Sequence, residues 1–464
     1  MEALIIAAGR GSRLHHRGSP KPLAPILGLK LIERIIIVGR NAGIDAFKIV
    51  VGYQAEKIIN VLGDGKKYDT TIENIFNPEW EKGNGVSLMA AKDAMDNQFI
   101  LLMADHLFEE SIIRKLLNIK LNDGECLLAI DRHLKGSHFS LDDVTKVWVE
   151  GNAVNKIGKT IRRYNALDTG FFRCSPIIFE ALEHSIALGD YGLSGGNQIL
   201  ANMGCLKTLD ITGHLWIDVD DEVAYKKAQK TLIKGLVKQT DGPIAKIINR
   251  KISSRVSTLL TNLNVSPNQM TFISFIIAVM ASLSFYNGTY GWILLGGLLA
   301  QLSSILDGCD GEIARLKYQH SFFGMWLDRI LDRYADGLII LGITYAIWLP
   351  TMNHFVWFLG GFALIGTFMN SYTAIAYDKL LKKDVVKNKS SFRIGRDIRL
   401  FVIFIGALCN QLLITLVILM LITNVESIRR LFVLKNVSKN YPVTGKRTYP
   451  DYIPIRGAGR LNPR

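Results

Sequence analysis

Cysteine is scarce and scattered. The five cysteines, Cys126, Cys174, Cys205, Cys309 and Cys409, are odd in number and form no C-x-x-C pair. That argues against a disulfide framework or a zinc site and fits a reducing compartment. A cleavable leader pattern is also missing. The opening apolar run of "MEALIIAAGRGSR", Ala3–Ala8, is six residues long and ends in glycine and arginine, short of the roughly seven to fifteen of a signal h-region. The N-terminus is therefore expected in the cytoplasm. Acidic residues are outnumbered, 41 against 55 basic ones, for a net charge of +14. The excess points to an anionic partner, whether a phosphate-bearing substrate, an anionic membrane surface or nucleic acid, and composition alone does not choose among them. No internal repeat stands out.

At 464 residues the chain is long for one domain, and its two halves have different characters. Residues 1–235 alternate short apolar strands ("ALIIAAG", "KIVVGY", "QFILLMAD", "ECLLAID") with amphipathic stretches such as "LIERIIIVGRNAG". That alternation predicts an α/β domain with a mostly parallel sheet wrapped by helices. Residues 236–268 read as a linker and a basic amphipathic helix lying in a membrane interface. From Met270 long uncharged runs begin, and 269–426 are expected to form six transmembrane helices. Two of the runs, "GLIILGITYAIWLP" and "LFVIFIGALC", are short and must borrow charged neighbours to span. Basic residues gather near Leu316–His320, in Asp378–Arg399 and after Val425, whereas Asn287, Pro350–Asn353 and Cys409–Asn410 have none. This bias places both termini and the N-terminal domain on the cytoplasmic side of the cell membrane, with 427–464 as a basic tail.

After the first strand comes "AAGRGSRLHHRGSPKPL". Gly9 and Gly11 let the backbone approach an anion closely, and Arg13 and Lys21 supply charge. With "PKPL" following, this segment resembles the signature of the sugar-phosphate nucleotidyltransferases, over roughly residues 1–230. The resemblance implies a nucleotide-contacting segment at "NPEWEKGNGVSLMAA", with Asn84, Gly85 and Ser87. It also implies a metal on Asp105, at the end of "LLMADHLF", and on Asp218 or Asp220 of "LWIDVDDEVAYKKA". Asp218 is the favoured of the two. Arg13 and Lys21 would neutralise charge as a phosphate oxygen attacks the α-phosphorus and pyrophosphate leaves. His106, next to the implied metal ligand, has no role in this reading.

The C-terminal half holds an apparent contradiction: Asp307, Asp310, Asp328, Asp332 and Asp336 lie among apolar runs. Asp307 and Asp310 are three apart, and Gly311 and Ala314 continue their helix face. Gly324, Asp328 and Asp332 are four apart on the next helix. A turn near Tyr318 would bring the two stripes together. Such a cluster needs cations, and divalent ions are the natural partner. Intramembrane carboxylates are functional by default. The run D-x-x-D-G-x-x-A-R-x8-G-x-x-x-D-x-x-x-D from Asp307 to Asp332 resembles the signature of the CDP-alcohol phosphotransferases, with every fixed position filled. The resemblance covers about 250–425. It implies that Asp307, Asp310, Asp328 and Asp332 hold Mg²⁺, with Mn²⁺ as a substitute, and that Gly311, Ala314, Arg315 and Gly324 lie along the nucleotide. Asp332 would take the proton of an acceptor hydroxyl. Asp336 is read as a surface acid pairing Arg333. Arg396 and Arg399, at the start of a later helix, would clamp an acceptor phosphate, because the guanidinium fork matches phosphate oxygens.

Together the halves resemble bifunctional enzymes of heat-loving microbes that make inositol phosphodiesters as compatible solutes. That resemblance implies CTP, inositol 1-phosphate and CDP-inositol as small-molecule partners. The bilayer is a further partner, with a homodimer formed through the membrane domain and no nucleic acid. A CDP-diacylglycerol-dependent phospholipid synthase and a transporter with a nucleotide-sensing domain are the alternatives. The transporter fares worst, because the acidic cluster has no second copy and transporters often show repeats.

Overall fold

The computed structural model describes residues 1–134, 144–237, 241–380 and 394–440. The chain divides into two compact units. One is built on 1–237 and takes in 254–266 and 311–320. The other is built on 241–253, 267–310 and the residues from 321 onward.

Among the described residues, thirteen strands form in the first unit: β1 (Glu2–Ile6), β2 (Pro25–Ile26), β3 (Leu29–Lys30), β4 (Ala46–Val51), β5 (Thr71–Phe76), β6 (Phe99–Met103), β7 (His106–Phe108), β8 (Cys126–Asp131), β9 (Lys146–Glu150), β10 (Ala153–Gly158), β11 (Ala166–Cys174), β12 (Leu206–Asp210) and β13 (Trp216–Asp218). Nine of them make one sheet in the order β5-β4-β1-β6-β11-β8-β12-β10-β9. The apolar runs are strands because they are covered on both faces. Ile5, Ile49 and Leu102 pack into one core, while their neighbours Leu4, Val50 and Leu101 pack into another. Alternate residues of a strand point to opposite faces, so a continuous apolar run serves both. Helices cover the faces, among them Leu31–Ala42, whose Ile32, Ile35 and Ile36 are buried.

The expectation of a mostly parallel sheet holds for one half. The pairs β5–β4, β4–β1, β1–β6 and β8–β12 are parallel. Strand β11, however, runs antiparallel between β6 and β8, and β10 is antiparallel to β12 and β9. The sheet is therefore mixed. The β11–β8 register shifts between Asp168 and Phe172, and Gly170 within that irregularity has φ 76°. A β-carbon there would meet His106 Nε2, so glycine permits both the conformation and the close approach.

The second unit is helical. Its apolar runs form Pro267–Tyr286, Tyr290–Leu316, Phe322–Thr351, Phe355–Leu380 and Leu412–Asn440, and five spans within these helices are long and apolar enough to cross a membrane. Phe322–Thr351 reaches 30 residues by taking in the Asp-bearing segment before its apolar run. The fifth expected span in chain order behaves differently. Arg396–Leu408 is a helix of 13 residues, about 20 Å at 1.5 Å per residue, shorter than a hydrocarbon core of about 30 Å. Ala278, Ala281, Ile339, Ile343, Ala363, Ala407 and Leu416 form the packed interior. Large apolar side chains such as Phe272, Ile276, Phe358, Ile414 and Leu421 face outward, as expected where lipid rather than water is the solvent.

The turn expected near Tyr318 is present: one helix ends at Leu316, the next begins at Phe322, and Tyr318 itself has φ 54°. The expected amphipathic segment forms a helix, Arg250–Thr261. Its small polar residues Ser253, Ser257 and Thr261 are buried, while Ile252 and Leu259 are exposed. The basic tail begins as a continuation of Leu412–Asn440. Its residues from 441 lie outside the described residues, as do Lys387, Lys389 and Arg393.

Candidate functional sites

The first site lies at the end of β1. Gly11 has φ 61°, and a β-carbon there would run into the side chain of Lys21. Gly9 and Arg13 are exposed on the same loop. Lys21 is buried, yet its ammonium sits 2.9 Å from Asp105 Oδ2 and also pairs with Asp220. A buried ammonium is tolerable only with such partners, and Asp105, Asp220 and Asp218 together hold its pKa above the ordinary lysine value against the cost of burial.

Asp105 and His106 follow β6, and β7 pairs with β13 so that His106 stands opposite Asp218. Donor atoms of Asp105, His106 and Asp218 all lie within 4.8 Å of one another. His106 Nδ1 is 2.6 Å from Asp105 Oδ1 and 3.9 Å from Asp218 Oδ1. The ring lies at 13° to Trp216 and edge-on to Phe171. Burial opposes a charge on the imidazole, but Asp218 and Asp105 raise it to about 9. Burial and the neighbouring carboxylates Asp105 and Asp220 push Asp218 up to about 7 despite His106. Asp105 goes the other way: Lys21 and His106 hold it well below the carboxylate range although it is buried.

Asp218 and Asp220 therefore part company. Asp218 joins the Asp105–His106 group, whereas Asp220 takes the lysine. Asp218 Oδ1 is buried without a hydrogen-bond partner among the described residues. An unsatisfied carboxylate oxygen in a group that holds a second carboxylate fits a hard divalent cation such as Mg²⁺.

The segment with Asn84, Gly85 and Ser87 opens the helix Asn84–Met89. Asn84 Oδ1 accepts from Leu193 N at 2.9 Å, Gly85 N donates to Tyr191 O at 3.1 Å, and Ser87 Oγ donates to Gly83 O at 3.2 Å. These contacts hold the segment against its neighbours in the fold.

The second site belongs to the helical unit. Asp307, Asp328 and Asp332 bring carboxylate oxygens within 4.8 Å of one another. Asp310 stands apart from that trio and accepts from Thr271 Oγ1 at 2.7 Å. Arg396 Nη1 lies 3.0 Å from Asp307 Oδ1 and 2.8 Å from Asp332 Oδ1. Both Arg396 Nη1 and Asp307 Oδ1 lack an aligned hydrogen bond among the described residues, so the contact is ionic. An all-oxygen set of this kind suits Mg²⁺ or Mn²⁺. Gly324 follows Ser321, whose Oγ caps its N–H at 2.9 Å, and a β-carbon on Gly324 would meet Asn268 Oδ1. Gly311 and Ala314 lie on the last turns of Tyr290–Leu316, and Arg315 Nη2 donates to Leu236 O at 3.1 Å.

Asp336 corrects the reading of it as a surface acid. It is 4% exposed, and its partners are Arg396 (Nε, 3.0 Å) and Arg399 (Nη2, 2.9 Å). Arg333 instead approaches Asp332 Oδ2 at 3.5 Å. The signal was available: Asp336 continues the i, i+4 stripe of Asp328 and Asp332. Thr271 and His106 had no comparable signal, because each acquires its partner through tertiary packing or a strand-end turn.

The chain matches the MobA-like NTP transferase domain family over residues 3–140 and the CDP-alcohol phosphatidyltransferase family over 264–431. It is 34% identical over 450 residues to the bifunctional IPC transferase and DIPP synthase of Thermococcus kodakarensis, covering 94% of this chain and 98% of that one. To the protein of the same description from Archaeoglobus fulgidus it is 36% identical over 420 residues, or 89% and 79% of the two chains. Among solved structures, the inositol-1-phosphate CTP transferase from T. maritima is 26% identical, covering 49% of this chain and 95% of that one, with a TM-score of 0.43.

Proposed function

Since the chain belongs to the family of bifunctional IPC transferases and DIPP synthases, we propose that it carries out two consecutive transfers on inositol 1-phosphate. In the first, the substrate phosphate oxygen bonds to the α-phosphorus of CTP and pyrophosphate leaves, giving CDP-inositol. In the second, a hydroxyl of another inositol 1-phosphate bonds to the β-phosphorus of CDP-inositol and CMP leaves, giving a phosphorylated inositol diester. The observation that carries this reading is that each unit of one chain holds its own cluster of acids with converging donor atoms.

The nucleotidyltransferase domain is assigned residues 1–235, the linker and interfacial helix 236–268, the membrane domain 269–426 and the tail 427–464. In the first site Gly9 and Gly11 offer backbone N–H groups to the triphosphate. Arg13 and Lys21 balance the charge that accumulates on the phosphates. Asp105 and Asp218 are the metal ligands, and Asp220 orients Lys21. Asn84, Gly85 and Ser87 form the wall for the base. In the second site Asp307, Asp310, Asp328 and Asp332 are the metal ligands, and Gly311, Ala314, Arg315 and Gly324 line the path of the cytidine diphosphate. Asp332 accepts the proton of the attacking hydroxyl. Divalent cations of the Mg²⁺ type, when bound at the two acid clusters, supply charge neutralisation for the phosphates. The membrane domain spans the bilayer six times, the short Arg396–Leu408 helix crossing by local bilayer thinning and by packing among its longer neighbours, with both termini cytoplasmic and a homodimer formed through this domain.

Purified protein given labelled CTP, Mg²⁺ and inositol 1-phosphate should yield CDP-inositol, pyrophosphate and then CMP, resolved by charge. Asp332→Ala should abolish CMP release and leave pyrophosphate release intact. Consumption of CDP-diacylglycerol with no CDP-inositol formed would overturn the proposal.

A further inference from the structure

Arg396 and Arg399 are separated by one helical turn and share one carboxylate, but they are not equivalent. Arg399 is 5% exposed, and its guanidinium is taken up inside the protein: Nη1 donates to Thr367 O at 2.9 Å and to Ser371 Oγ at 3.2 Å, and Nη2 to Asp336 Oδ2 at 2.9 Å. Its Nε and the Thr367 hydroxyl find no partner among the described residues. Both residues line a cavity of about 10 Å³ together with Asp336, room for one water. Arg396 is more open, at 12%. Its Nε donates to Asp336 Oδ1 at 3.0 Å, and its other end reaches Asp307 and Asp332.

We propose that Asp336 is a positioning residue for the acceptor substrate: anchored by Arg399 on one oxygen, it grips Arg396 with the other and presents that guanidinium to the acceptor's phosphate. The inference rests on the second transfer described above. An acceptor whose hydroxyl meets Asp332 brings its phosphate near the side chain already beside Asp332. An unanchored arginine would be free to swing among the neighbouring carboxylates. The bond from Nε to Asp336 fixes the plane of the fork with Nη1 beside Asp307 and Asp332, so that Nη2 is the terminal nitrogen offered to a phosphate. Arg399 does not touch the substrate in this arrangement. Together with Arg396 it compensates the buried Asp336 charge.

The test uses the full-length enzyme with CDP-inositol supplied directly and CMP release as the readout, comparing inositol 1-phosphate with unphosphorylated inositol as acceptor. Asp336→Asn keeps the shape and removes the charge. Its KM for inositol 1-phosphate should rise roughly 10- to 100-fold, by analogy with the loss of partners that orient metal-ligating groups. The KM for CDP-inositol and pyrophosphate release from CTP should stay within about twofold, and the preference for the phosphorylated acceptor should collapse. An unchanged acceptor KM overturns the proposal. So does an equal fall in kcat and in affinity for both substrates, which marks Asp336 as structural only. Should Asp336→Asn fail to fold, Arg399→Lys, which keeps the charge and loses the fork, is held to the same criteria. Wild-type enzyme that releases no CMP from CDP-inositol and inositol 1-phosphate would instead refute the second transfer itself.

Discussion

Asp168 shows how one buried group can be read as thermodynamics. Its Oδ1 accepts from Gly170 N at 2.8 Å, but burial pushes its carboxyl up to about 6, against that hydrogen bond and the charge of His106. An acid with a raised folded-state pKa holds its proton more tightly when folded. Its contribution to stability is therefore greatest below the ordinary value of 3.8 and is lost as pH rises through about 6. Asp168→Asn keeps the oxygen that accepts from Gly170 and removes the charge. It should stabilise the protein by about 1–2 kcal/mol at pH 7.5, a discounted conversion because the side chain is partly exposed. The gain should vanish near pH 4, as thermal melts in chelator at the two pH values would show. Nothing in the sequence marked Asp168, because its burial depends on β11 being inserted between β6 and β8.

At the scale of elements, helix contacts in the membrane unit rest on small residues. A β-carbon on Gly297 would collide with Ala407, which brings the helix Tyr290–Leu316 close to Arg396–Leu408. Close approach through glycine and alanine is how helices associate where lipid removes the usual hydrophobic drive. Gly297→Leu should cost about 1–3 kcal/mol through overpacking, while Gly361→Ala, where nothing lies within 4 Å, should leave the melting temperature in detergent almost unchanged. Equal melting for both variants would contradict the packing. The helix ends were legible from sequence: the breaks at Asn287, Pro350–Asn353 and Cys409–Asn410 fall at or beside the ends of Tyr286, Thr351 and Leu408. The shortness of Arg396–Leu408 was legible too: its apolar run is short, and the neighbours it borrows, residues 396–399, bring it only to 13 residues.

At the scale of the molecule, the proposal assigns one transfer to each unit. Lys21→Met should lose the first transfer, because Asp105 and Asp220 are left without their shared ammonium. Asp332→Ala should lose the second. Mixed together, the two variants should restore CMP release from CTP and inositol 1-phosphate, with a lag that lengthens on dilution. CDP-inositol is a charged, water-soluble intermediate that can pass from one protein molecule to the other. A mixture as inactive as either variant alone would mean that the intermediate does not leave the chain that made it.

The sequence by itself determined the two solvents of the chain, its main apolar strands and helices, and the acid spacing of the cluster in the helical unit. Each of these is a local pattern: the run length of apolar residues, a period of two or of 3.6, or three and four residues between aspartates. Only the tertiary structure decided that Asp218 rather than Asp220 joins Asp105 and His106, that the sheet is mixed, and that Asp336 is buried between two arginines. Those outcomes depend on which distant segment arrives as a neighbour, because a charge is buried or exposed according to the partner that packing brings to it.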